Sequence, residues 1–75
     1  MKTKYNVGDI VFALNTIDNE AISLHKVKII SIFIIDIVEY GVTEYDGNTW
    51  TDWENNIKEE NINKNATKLA NKLKL

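Results

Sequence analysis

Two sets of side chains in this 75-residue sequence have types and spacing that could do chemistry. His25 is its one imidazole. As a general base it would need a nucleophile within hydrogen-bond reach and a third group to orient the ring. No nucleophile motif accompanies it, so it reads as a half-exposed strand histidine. Asp52 and Glu54, two apart on a strand, would share a face. Glycoside hydrolysis asks for two carboxylates about 5–10 Å apart across a cleft, and so short a chain has little room for one. Cysteine is absent, so thiolate zinc sites and disulfides are excluded, and no Asp-x-Asp-x-Asp-Gly loop points to calcium. The expectation is a protein that is not an enzyme, with no catalytic residues, no cofactor and no metal.

Binding is the other chemistry on offer. Tyr40, Tyr45, Trp50 and Trp53 gather around a segment carrying Asp46, Asp52 and Glu54. Tryptophan and tyrosine carry much of the energy at interfaces, and carboxylates beside them favour a basic partner. Tyr45, Asp46, Trp50, Asp52, Trp53 and Glu54 are therefore the expected partner-binding residues. The competing reading is core: one tryptophan and one tyrosine buried, with Trp53 the exposed one because its strand ends there.

The elements that must position these residues are organised around Val27–Val38, rich in isoleucine and nearly free of charge. Isoleucine, valine and phenylalanine lose side-chain freedom in a helix and pack well on a pleated sheet. The run is shorter than the roughly 20 apolar residues that span a bilayer, and Asp36 interrupts it. It reads as a strand turning back at Ile35-Asp36-Ile37. Alternation puts Ile30, Ile32 and Ile34 on one face and Ile29, Phe33 and Ile35 on the other. Both faces are apolar, so one needs a cover: a helix, a partner or a second copy through Ile30, Ile32, Phe33 and Ile34.

Around that segment the sequence predicts a strand over Ile10–Leu14, a hairpin tip at Asp18-Asn19, and a strand over Ala21–Ile35. A return strand over Ile37–Tyr45 follows, with Gly41 at a bulge or a close backbone approach. Asp46-Gly47 predicts a tight hairpin with both central residues at positive φ. Asn48–Trp53 is the next strand, and Glu54–Asn61 holds a 3₁₀ turn and a last short strand. Asn63 or Asn65 caps a terminal helix over about Ala66–Lys74. Its stripe of Ala66, Leu69, Ala70 and Leu73 is too short to be stable undocked and should lie on the exposed face of the apolar strand.

The length allows one domain, divided into 1–62 and an appended helical segment, 63–75. The net charge of −2 conceals an asymmetry: acids dominate from Asp36 to Glu60, and only lysines follow Asn61. No apolar signal core follows Met1-Lys2-Thr3-Lys4, so the expected compartment is the cytoplasm, with no membrane partner.

Three pieces together resemble the small SH3-like barrels that stand alone in bacteria and their phages. They are Tyr5-x-Val7-Gly8-Asp9-x-Val11-Phe12-Ala13, Tyr40-Gly41-Val42 through Tyr45-Asp46-Gly47, and Glu60-Asn61-Ile62 before the capped helix. The resemblance implies a mainly β fold, a five-stranded partly open barrel with a C-terminal α-helix, and no shared activity. The Ala-Leu-Tyr-Asp-Tyr and Pro-Tyr stretches of signalling SH3 domains are missing, so proline-rich ligands are not carried over. The basic loop of ribosomal and elongation-factor barrels is missing too. The expected function is a non-enzymatic phage or mobile-element module that binds a basic protein surface, one form being an inhibitor of a host nucleic-acid enzyme, with a homodimer as a further expectation. The alternative is a nucleic-acid-binding barrel working through Lys2, Lys4, Lys26, Lys28 and the helix lysines.

Overall fold

The computed structural model describes residues 2–73. They form a mainly β fold: one antiparallel sheet of six strands and a short C-terminal helix. The strands are β1 (Ile10–Ile17), β2 (Glu20–Ile34), β3 (Val38–Tyr45), β4 (Trp50–Asp52), β5 (Ile57–Lys58) and β6 (Ile62–Asn63). The helix α1 covers Ala66–Ala70. The count exceeds the expected five because the 54–63 region supplies two two-residue strands around a 3₁₀ turn, Glu59–Asn61.

The sheet order β4-β3-β2-β1-β6, with β5 also on β3, places β5 and β6 on opposite edges. In a flat sheet they would lie about 19 Å apart, four strand spacings. The three-residue 3₁₀ turn advances only about 6 Å. The sheet must therefore curl until its two edges meet. Inside the curl lie Val11, Ala13, Val27, Ile29, Tyr40, Val42 and Ile62, all at most 2% exposed. Tyr5 and Tyr40 meet edge to face at 5.6 Å, and the Tyr5 hydroxyl donates to the Ile62 carbonyl. The Tyr40 hydroxyl donates to Glu59 at 2.5 Å, and the same carboxylate oxygen accepts the Lys4 amide at 3.1 Å. Burial, reinforced by that hydrogen bond, pushes the Tyr40 phenol up to about 12.

The hairpin turns separate two ways of reversing a chain. Asp18 (φ 53°) and Asn19 (φ 66°) form a two-residue connection between paired Ile17 and Glu20, the left-handed geometry that Asp and Asn tolerate. At Asp46-Gly47 only Gly47 takes positive φ, which corrects the expected tight turn. Here Tyr45 pairs Trp50 across four residues, and the Asp46 carboxylate accepts the Asn48 and Thr49 amides. Those donors, Thr49 first, hold the Asp46 carboxyl below its ordinary range.

β2 turns back over 35–37 into β3. Its register slips at Ile30: Ile29 pairs Val42 and Ser31 pairs the next residue, Gly41, leaving Ile30 as the extra residue of a bulge. The slip reverses the alternation, so Ile29 and Ile32 both face the core instead of opposite sides. Gly41 is the expected close approach: a Cβ there would collide with the Ser31 hydroxyl.

Asn65 caps α1 by accepting the Thr67 amide, and Asn63 in turn accepts the Asn65 amide. The helix ends at Ala70, short of the expected Lys74, which lies outside the described residues. It rests on β1, β6 and the adjoining part of β2, where Leu14 and Leu69 are buried apart from the main core. This corrects the expected docking on the apolar strand. Two residues tether α1 to β6, and β6 pairs Phe12 and Ala13, so the helix cannot reach the β2–β3 tip. No helix among the described residues is long and apolar enough to cross a membrane.

Candidate functional site

The β1–β2 turn and the segment from Trp53 to Asn61 face each other across an open groove. It consists of two hollows of about 490 and 530 Å³ that share Thr16, Asn19, Asn56 and Ile57. Glu20, Glu39 and Glu60 line one hollow, and Asp18, Glu44 and Glu54 the other. Two lysines oppose these six carboxylates, Lys58 and Lys72, and both lie in the first hollow. The Lys72 ammonium is already donated to the Glu60 carbonyl at 2.6 Å. The second hollow therefore carries three carboxylates with no lysine on its wall.

Three residues of that hollow's wall, His25, Glu44 and Trp53, belong to a polar network that also takes in Ser23 behind them. Ser23 and His25 are two apart on β2 and point the same way. Ser23 Oγ lies 2.7 Å from His25 Nε2, and His25 Nδ1 lies 2.8 Å from Glu44 Oε2. The other Glu44 oxygen accepts the Trp53 indole N–H at 3.1 Å, and Trp53 meets the His25 ring edge to face at 5.3 Å. Serine, imidazole and carboxylate stand in the order of an acyl-transfer triad. Such chemistry also needs donors aimed at a developing oxyanion, and Ser23 stands on β2 opposite Asn15 of β1, off the wall of the hollow. The arrangement fixes the imidazole and the indole on the groove wall and ties β2, β3 and the residue after β4 together.

The six expected partner-binding residues do not form one patch. Trp53 and Glu54 line the groove. Tyr45, Trp50 and Asp52 lie on the outer face of the sheet, where Asp52 pairs Thr43. Asp52 and Glu54 thus do not share a face, because β4 ends at Asp52 and the chain bends after Trp53. Trp53 is not the exposed tryptophan: its amide extends the ladder to the Val42 carbonyl and its ring packs on the core, while Trp50 is 49% exposed. On the outer face the Tyr45 and Trp50 rings are 5.1 Å apart, with the Lys28 ammonium 4.2 Å over the indole. Lys26, Ile10 and Val27 complete a hollow of about 370 Å³ beside them.

Of the expected self-association residues, Ile30, Phe33 and Ile34 are exposed, whereas Ile32 packs against the core. Five of the six groove carboxylates, Asp18, Glu20, Glu39, Glu44 and Glu60, are absent from the expected partner-binding residues, because the groove is assembled from segments far apart in the chain. Comparison with protein-family models, curated proteins and solved structures returns no match for this chain.

Proposed function

We propose that this chain is a small non-enzymatic binding module of SH3-like design that seats a basic segment of another protein in the groove between the β1–β2 turn and residues 53–61. The strand–3₁₀–strand order at 57–63 supports the SH3-like reading. One observation carries the ligand class: six carboxylates line two adjoining hollows, and a half-buried tryptophan forms part of the wall. A concave acidic surface fits a protruding lysine- or arginine-bearing segment better than it fits the basic cleft of an enzyme, which calls for a convex inhibitor. Complementary charge sets encounter rate and specificity, and the contact should weaken with salt. Titration with a panel of lysine- and arginine-rich peptides free of tryptophan, followed by Trp53 fluorescence in a Trp50→Phe background, tests this. Asp18→Lys with Glu54→Lys should weaken binding about 10-fold or more, and Asp52→Lys on the outer face should leave the groove unaffected. Binding that ignores the groove pair would sink the reading.

A second reading draws on the outer face, where Trp50 and Tyr45 lie beside Lys26 and Lys28. Exposed rings with flanking ammonium groups suit the bases and phosphates of a single strand. Oligonucleotide binding that falls steeply with salt and is lost in Trp50→Ala would favour it over the groove.

A further inference from the structure

We propose that two copies of this chain pair through the free edge of β2, antiparallel about a two-fold axis near Ile32 and Phe33, so that two sheets become one. β1 follows β2 only as far as Lys28. The backbone of Gly8 and Asp9 extends that contact by one residue: the Gly8 amide donates to the Ile29 carbonyl, and the Ile29 amide to the Asp9 carbonyl. From Ser31 to Ile34, β3 occupies one edge, and no strand among the described residues pairs with the other. Backbone groups along such an edge are a template for another strand. Natural edges are blunted by charge, proline or brevity, yet Ile29–Ile35 contains no charged residue and no proline.

The side chains around this edge say what fits it. Ile30, Phe33, Ile34, Ile35 and Ile37 are 40–86% exposed. At about 200 Å² for a whole large side chain they leave roughly 500 Å² per copy, so a pair would bury at most about 1,000 Å², the lower bound of specific interfaces. Neighbours Phe33 and Ile34 point to opposite faces and both are exposed, so an added strand must be apolar on both sides. This segment itself meets that demand. An antiparallel two-fold match lays the run against its own reverse and sends the two Asp36 carboxylates to opposite ends, where a parallel match would set them side by side. None of these residues lines the acidic groove, so the pairing is independent of what the groove binds.

Sedimentation of the full chain from about 1 to 300 μM, a range that brackets the dissociation constants of weak, small interfaces, should show a monomer–dimer equilibrium. Phe33→Lys and Ile35→Lys, both at exposed positions, should keep the far-ultraviolet spectrum and weaken the dimer about 100-fold, the first by setting two ammonium groups against each other at the axis and the second by placing an unpaired ammonium in the apolar seam. The chain has no cysteine, so Phe33→Cys supplies a unique thiol that should cross-link two copies on oxidation. Ile17→Cys, at the exposed end of β1, should not. A monomer at the highest concentration would overturn the proposal and leave the edge to a different chain or to lipid. A dimer indifferent to both lysine substitutions would overturn it as well.

Discussion

Val27, Ile29, Tyr40 and Val42 at the root of the β2–β3 hairpin are fully buried, while Phe33, Ile34, Ile35 and Ile37 at its tip stand in solvent. The two halves are equally apolar in sequence, so hydrophobicity alone does not decide their fate. What differs is the neighbour on the far edge of β2: β1 covers the root and stops at Lys28, leaving the tip with β3 alone. Burial here depends on how far an adjoining strand runs. The bulge at Ile30 falls at that boundary.

The difference can be measured by truncation. Ile29→Ala at the root should cost about 2–5 kcal/mol in urea unfolding, and Ile35→Ala at the tip no more than about 0.5 kcal/mol under dilute conditions. Similar costs would show that coverage by β1 does not decide which half of the hairpin is buried. Titration gives a second handle on the root. The Tyr40 phenol ionises near 10 when unfolded and only at about 12 when folded. Between those values the unfolded chain binds fewer protons, so stability is full below pH 10 and falls as pH rises toward 12, by about 2–3 kcal/mol. Tyr40→Phe should flatten that fall, leaving the part due to Tyr5, whose phenol is also raised by burial and by the Glu59 charge. A smaller effect sharpens the boundary itself. Gly41→Ala should destabilise by about 1–3 kcal/mol through its collision with the Ser31 hydroxyl. Ser31→Ala should recover most of it, because the two Cβ positions stand 3.5 Å apart. Additive effects of the two substitutions would exclude a direct contact.

The sequence made several of these elements legible because local chemistry decides them. Asp18-Asn19 tolerates left-handed backbone, and Asn65 offers a capping oxygen, so turn and helix start follow from residue type. The reversal at 35–37 follows from the end of the apolar run. The bulge at Ile30 does not, since no glycine or polar residue marks it, and missing it reversed the faces of every later residue in β2. Glu44 reaches His25 only through the β2–β3 register, so the polar wall of the groove was hidden for the same reason. In sequence Trp53 marks the end of its strand and so reads as exposed, whereas pairing carries on one residue past β4 and seats its ring on the core. The groove was invisible from either of its sides alone, being made by a hairpin tip and a segment more than thirty residues away.

The Glu59 carboxylate grips both the Lys4 amide and the Tyr40 hydroxyl. Strands β1 to β4 form a meander of neighbours and can assemble early, whereas this grip closes a loop spanning most of the chain. Release at Glu59 would let the N-terminal segment and the 3₁₀ turn exchange their amides with solvent while the meander stays folded. Slow exchange in β1–β3 beside faster exchange at Lys4 and Tyr5 would be its signature.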